Sequence, residues 1–377
     1  MTRRPRDRIA RGASHAGERH TVDVGPVAHG GHCVARLDDG RVVFVRHAIP
    51  GERVVIEVTE GTDGDKFWRA DAVEVLSASG DRVRPPCPVA GPGLCGGCDF
   101  QHVDLGRQRA LKAEVVAEQL RRLAGLDLPV VVEAVPGGLH GLRWRTRASF
   151  AHLPDGRRAM RRHRSHDLVA VEDCLIAAPS AESPSSHEQV EVAGVSHEFA
   201  LAADGFWQVH PGAPRVLVET VLDLLAAQPG EKVLDLYAGV GLFAAFLADR
   251  VGPDRVVAVE GHPAAARDAV TNLPSGVRVL RGDVATVLRG ALDEPFDLVV
   301  LDPPREGARR AVVEQVAQRA PRAVAYVACD PAALARDVAS FAEQGYALTA
   351  LRAFDVFPMT SHVEVVAHLV KSGSRLR

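Results

Sequence analysis

From residue 212 onward, short apolar runs ending in an acid or a glycine alternate with helical segments, and no other feature of the chain constrains its fold as much. PRVLVETVLDLLAAQ reads as a helix, KVLDLYA as a strand and GLFAAFLADR as a helix. VVAVE, VRVLRGD, DLVVLDPP, AVAYVACD and HVEVVAHLV follow as strands, with helical segments between most of them. Strands this continuously apolar are buried on both faces, which means a mostly parallel sheet covered by helices on each side. The expected class is α/β, a doubly wound Rossmann-like domain over residues 201–377. Its ligands should collect at the carboxyl ends of the strands.

Two smaller units are expected ahead of it. Between residues 21 and 79, VDVGPVAHGG, VARLDDGRVVFVR, GERVVIEVTE and WRADAVEVL hold alternating apolar positions broken by DDG, PG and DG turns. Four or five short strands in that length predict a small closed barrel of OB type. Residues 80–200 open on RPPCPVAGPGLCGGC, too rich in proline and glycine for regular structure. An amphipathic helix from Leu105 to Leu123 follows, with Leu111, Val115, Val116, Leu120 and Leu123 on one face. VVVEAV, WRTRASFAHL and LVAVEDCLI then read as strands, and residues 177–186 as a loop. Residues 1–20 are basic without an apolar stretch, so they read as a disordered tail and not as a leader, which predicts a cytoplasmic protein. No run of 18 apolar residues is available for a membrane span.

The net charge of −3 excludes a uniformly basic nucleic-acid binder. It averages two unlike halves, however. Residues 1–175 hold 27 basic and 23 acidic residues, and the remainder holds 18 and 25. Arg143, Arg145, Arg147, Arg157, Arg158, Arg161, Arg162 and Arg164 crowd a stretch whose only acid is Asp155. Such a run is either a solvated face or a grip on phosphates.

The strand ends carry the chemistry. Gly239 and Gly241, in DLYAGVG after the first strand, permit a tight turn and close approach of backbone to a ligand. The third glycine of a dinucleotide fingerprint is missing, since Ala244 and Ala245 occupy that region. Glu260 ends the next strand, where a carboxylate suits two ribose hydroxyls, and Asp283 ends the third, facing an adenine amino group. A glycine loop with two strand-end acids fits a nucleoside without pyrophosphate, S-adenosylmethionine. Asp302 leads into Pro303 and Pro304, which stiffen the loop after the fourth strand beside the transferable methyl.

Cys329 ends the fifth strand and Glu364 lies near the start of the last. A pyrimidine C5 is a poor nucleophile until a thiolate adds at C6, and after methyl transfer a base must remove the C5 proton. Cys329 and Glu364 supply that nucleophile and that base. Cys87, Cys95 and Cys98, completed by Cys174, are four thiols suited to zinc or to an iron–sulfur cluster. Cys33 has no partner in that set and reads as structural.

Together these residues resemble the RNA uracil-C5 methyltransferases, the family of the 23S rRNA and tRNA 5-methyluridine enzymes, over nearly the whole chain after residue 20. The resemblance implies a class I methyltransferase domain, a TRAM barrel in GGHCVARLDDGRVVFVRHAIPGE that binds RNA, and a small α+β iron–sulfur domain. By that likeness Cys87, Cys95, Cys98 and Cys174 hold a [4Fe–4S] cluster. Gln208, in FWQVH, together with Tyr237, Glu260 and Asp302, matches positions that contact S-adenosylmethionine in relatives. Cys329 matches the nucleophile and Glu364 the proton acceptor. Three positions depart from the family pattern: His210 and Asp330 stand where asparagine is usual or common, and Met359 where histidine is frequent. The expected function is methylation of uridine C5 in RNA, 23S rRNA before the T-loop of tRNA, by a monomer. A non-catalytic RNA-binding or redox-sensing protein on the same fold is the other class, and the intact Cys329 and Glu364 pair speaks against it.

Overall fold

The computed structural model describes residues 12–202 and 205–373, and the chain divides into two units. One comprises the chain up to Leu111, Phe150–Leu175 and Met359–Ser361; the other comprises Lys112–Ser149, Ile176–Pro358 and the chain from His362. Residues 80–200 are therefore shared between two bodies and do not form a third.

The first unit is built on β1 (Arg19–Asp23), β2 (Cys33–Arg36), β3 (Val42–Arg46), β4 (Arg53–Glu60) and β5 (Phe67–Ser77), in the order β1-β4-β5-β3-β2. The Gly25 N–H donates to the Val34 carbonyl and the Val34 N–H to the Pro26 carbonyl, which joins the segment after β1 to β2 and closes the barrel. Alternation decides what lies inside. Val54, Ile56 and Val58 of β4 meet Val43, Val45, Trp68 and Ala70 in a buried core. Cys33 belongs to that core, its thiol donating to the Ala48 carbonyl. The tail expected over residues 1–20 is part of the barrel from residue 12 on. His15 stacks on Trp68 with ring centroids 4.3 Å apart, and Ser14 bridges to Thr62. Residues 1–11 of that tail lie outside the described residues.

Helix α1 (Leu105–Gln119) passes from the first unit into the second and ends in a wider turn over Leu120–Ala124, closed by Gly125 at φ +68°. Strand β6 (Val132–Ala134) belongs to the second unit; β7 (Ala151–His152), β8 (Arg158–Arg161) and β9 (Leu168–Ala170) form a small sheet of the first. WRTRASFAHL is thus mostly not strand: before β7, its one isolated bridge is Arg145 with Ala177.

The second unit continues with the hairpin β10 (His187–Val192) and β11 (Val195–Ala200), then α2 (Ala213–Leu225), β12 (Val233–Leu236) and α3 (Leu242–Val251). It goes on through β13 (Val256–Glu260), α4 (Pro263–Asn272), β14 (Arg278–Arg281), α5 (Val284–Gly290), β15 (Leu298–Leu301) and α6 (Arg310–Gln318). The last elements are β16 (Ala323–Ala328), α7 (Pro331–Glu343), β17 (Tyr346–Asp355) and β18 (Glu364–Lys371). The sheet order is β14-β13-β12-β15-β16-β18-β17-β6. Strands β12 to β16 are parallel, and β18 runs antiparallel between β16 and β17. Side chains of even and odd parity feed two separate cores. Leu234, Leu236, Val257, Val259, Val299 and Leu301 pack with α5, α6 and α7, while Val233, Val256, Ala258, Leu298 and Val300 pack with α2, α3 and α4. Each fully buried Val or Leu contributes about 1.5–3 kcal/mol.

Strand β17 is absent from the sequence pattern. YALTALRAFD is rich in the helix formers Ala, Leu and Arg, and a bulge between Leu348 and Ala350 breaks its alternation.

Candidate active site

The order of strands reverses at β12, with β13 on one side and β15 on the other, so a crevice opens outside the carboxyl ends of β12 and β15. The loop after β12 begins at Tyr237, held at φ +62°, and continues through Gly239 at +57° and Gly241 at +95°. A left-handed tyrosine is strained, a feature that clusters at functional sites. A Cβ on Gly239 would meet nothing within 4 Å, so space is open beside it. A Cβ on Gly241 would lie 2.8 Å from Leu273 Cγ, so only glycine lets α3 start there against α4. The Gly239 N–H donates to Glu260 Oε2 at 2.8 Å, and the His262 N–H donates to Glu260 Oε1 at 2.5 Å. Glu260 therefore braces the glycine loop while its carboxylate stands at the end of β13.

Acids converge here. Asp235 is fully buried; its Oδ2 accepts from the Ala244 N–H at 3.0 Å, and its Oδ1 has no partner among the described residues. Burial, then the charges of Asp302 and Glu260, raises its pKa well above the usual carboxylate range. Asp302, on the loop after β15, is pushed up to about 7 by burial and by Glu260. Glu364 is buried, and burial followed by the charge of Asp302 lifts its pKa well above the ordinary value.

The thiol joins them through strand pairing. Ala328 of β16 is paired with Val365 of β18, so Cys329, one residue further, and Glu364, one residue earlier, fall side by side across antiparallel strands. Burial pushes the Cys329 thiol up to about 12, with Glu364, Asp302 and Asp330 adding to the rise and Arg305 opposing it. Asp330 is the least of these; its Oδ1 caps α7, accepting from the Ala333 N–H at 2.8 Å.

The remaining expected residues divide. Asp283 is exposed and caps α5, accepting from the N–H and hydroxyl of Thr286, yet lies close enough to Tyr237 for its charge to be felt. Gln208 is buried and makes no hydrogen bond to the acids among the described residues. His210, two residues on, is a buried packing residue. Its ring stacks on Trp144 at 6.0 Å, its Nδ1 accepts from the Gly212 N–H, and burial lowers its pKa to about 4. Residues that sequence reasoning misses are Asn272 and Asp337. The Asn272 amide donates to the Val240 and Ala200 carbonyls and accepts from the Ala200 N–H, tying the glycine loop to β11. Asp337 could have been found, because it interrupts the apolar stripe Leu334, Val338 and Phe341 with a carboxylate.

In the first unit, Cys174 lies within electrostatic reach of Cys87, Cys95 and Cys98, so the four expected thiols do gather. The Gly97 N–H donates to Cys95 Sγ and Gln101 Nε2 to Cys98 Sγ, while Gln101 Oε1 accepts from the Cys87 N–H. Among the described residues, no three His, Cys, Asp or Glu side chains close on a single metal ion. The arginine run is split between the units and largely occupied. Arg147 pairs with Glu188, Arg157 with Asp155 and Arg164 with Glu60, and Arg143 donates to the Ala177 carbonyl.

Comparison with known proteins matches the same regions. Residues 13–73 match the family described as TRAM domain, residues 213–326 the methyltransferase small domain, and residues 291–372 tRNA (uracil-5-)-methyltransferase. An uncharacterised RNA methyltransferase of Streptomyces coelicolor is 44% identical over 98% of this chain and 96% of its own. The 23S rRNA (uracil(1939)-C(5))-methyltransferase RlmD of Pseudomonas aeruginosa is 32% identical over 95% of this chain and 96% of its own. Among solved structures, the Pyrococcus abyssi tRNA (uracil-54, C5)-methyltransferase in complex with S-adenosyl-L-homocysteine shares the fold with a TM-score of 0.67. It is 20% identical and covers 92% of this chain and 99% of its own.

Proposed function

Because the chain belongs to the RNA uracil-C5 methyltransferase family, we propose that it methylates uridine C5 in 23S rRNA through a covalent adduct between Cys329 and the base. The observation that carries this reading is the register of β16 and β18, whose last pair, Ala328 with Val365, sets Cys329 next to Glu364, within reach of its charge. The relative at 32% identity acts on 23S rRNA, which favours that RNA over tRNA.

S-adenosylmethionine, when bound, supplies a methyl group on a positively charged sulfur. The residues present fit it. Asp235, Asp302 and Glu260 repel one another, and a cationic ligand relieves that repulsion. In this reading Gly239, with open space beside it, would let backbone approach the ligand, Glu260 would hold the ribose, and Gly241, Tyr237, Asp283 and Gln208 would complete the set.

Cys329 Sγ attacks C6 of the target uracil, and the C5–C6 pair moves onto C5 and the adjoining carbonyl. C5 then takes the methyl, whose bond to the sulfonium sulfur breaks to leave a neutral thioether. Glu364 removes the C5 proton, the C5–C6 double bond re-forms, and the bond from C6 to Cys329 breaks to return the thiolate. The target base has to leave its stack to reach this crevice.

Cys87, Cys95, Cys98 and Cys174 are assigned to a [4Fe–4S] cluster. What speaks for this reading is that the four thiols gather and that N–H groups donate to two of the sulfurs.

Single-turnover methylation tests the reading. Cys329→Ala should lose methylation of 23S rRNA while still binding S-adenosylmethionine. Activity within a few-fold of the parent removes the thiolate mechanism, and activity on tRNA alone moves the substrate.

A further inference from the structure

The loop between β15 and α6 is clamped at both ends. At one end the Asp302 N–H donates to the Leu236 carbonyl. At the other, a single buried oxygen, Asp337 Oδ2, accepts from the Ala308 N–H at 2.8 Å, the Arg309 N–H at 3.2 Å and the Tyr326 hydroxyl at 2.6 Å. The Tyr326 oxygen in turn accepts from the Ala308 N–H at 3.0 Å. The loop is pressed so closely on α7 that a Cβ on Gly307, at φ +82°, would lie 2.6 Å from Asp337 Oδ2. Tyr326 is on β16, the strand that delivers Cys329, and Asp337 is on α7, the helix that follows it. The clamp therefore ties the loop to both elements that flank the thiol.

Arg305 lies on the clamped span, stiffened by Pro303 and Pro304, and is exposed with no salt bridge or hydrogen bond among the described residues. Leu301 of β15 is paired with Tyr326 of the parallel β16, so the loop carrying Asp302 and Arg305 leaves the sheet at the same end as Cys329; the charges felt at the thiol are those two, Glu364 of β18 and Asp330 at the start of α7. Of these four, only Arg305 favours the thiolate.

We propose that Asp337, with Tyr326, is a positioning residue that holds the loop so that Arg305 stands as counter-charge to the Cys329 thiolate. The idea rests on the reading of Cys329 as nucleophile, but its test does not use methylation.

Alkylation of Cys329 by iodoacetamide, followed by peptide mass mapping across pH, reads thiolate formation directly. At pH 8, Arg305→Gln should slow alkylation by about three-fold or more, and Asp337→Ala should match it. Asp337→Asn, which keeps an acceptor for the loop amides, should restore most of the rate. The double variant Arg305→Gln/Asp337→Ala should be no slower than Arg305→Gln alone. If Asp337→Ala unfolds, Tyr326→Phe, which removes one donor and leaves the amides bonded, should give a smaller loss of the same kind. Unchanged alkylation in the folded variants, or losses that multiply in the double variant, overturns the proposal. A Cys329 that alkylates as expected in a protein whose Cys329→Ala variant still methylates RNA would instead overturn the nucleophile assignment.

Discussion

Replacing Asp302 by Asn should make the protein more stable at the cost of its site. Unfolded, an aspartate ionises near 3.8; in the fold, burial and Glu260 hold the Asp302 proton up to about 7. Between those values the folded state binds more protons than the unfolded state, so stability falls as pH rises. Below pH 4 both states are protonated and the penalty vanishes; above pH 7 it is complete. That rise corresponds to about 4 kcal/mol. Asp302 keeps part of its surface in water, so solvent screening brings the expected penalty to about 2 kcal/mol. Asp302→Asn removes it, and for a unit of this size the melting temperature at pH 8 should rise by roughly 4–8 °C. Calorimetry at pH 8 and pH 4 is the assay, with the gain expected only at the higher pH. A variant that melts at or below the parent at pH 8, or that gains equally at pH 4, refutes the charge argument. S-adenosylmethionine should also raise the melting temperature of the parent more than that of the variant.

Other expectations follow from the same geometry. Gly241→Ala forces a side chain onto a left-handed residue and into Leu273; strain of about 1–2 kcal/mol in the glycine loop should weaken S-adenosylmethionine binding about ten-fold, and an unchanged Kd by titration calorimetry would contradict the placement. Lys112 is buried, donating to Asp355 at 2.5 Å and to the Phe357 carbonyl at 3.0 Å. Lys112→Met should cost about 3–5 kcal/mol in urea unfolding, and Lys112→Met/Asp355→Leu should recover most of it. Protein purified without oxygen should be brown and hold iron and sulfide, and Cys174→Ala should lose both; stoichiometric zinc in a colourless protein would remove the cluster.

Strand-end chemistry was legible because parallel strands are apolar up to their last residue, so an acid, a glycine or Cys329 at that point stands out from the run. Partnership was not legible. The arginine run shows its charge in the sequence but not that Arg147 and Arg164 are spent on Glu188 and Glu60. Asp283 reads as a ligand-facing acid, yet it also caps α5, a role fixed by the Thr286 N–H three residues on. The pairing of Cys329 with Glu364 depends on β18 entering the sheet antiparallel beside β16, which follows from β17, the strand whose helix-forming residues and bulge conceal it.

The central claim is a thiol and a carboxylate acting in sequence on one base. Glu364→Gln, incubated with S-adenosylmethionine and 23S rRNA, should stop after methyl transfer and leave protein bound to RNA. That adduct should appear as a species that survives denaturing electrophoresis, with the mass link at Cys329. Its absence, or its persistence when Cys329 is also replaced by alanine, would contradict the account.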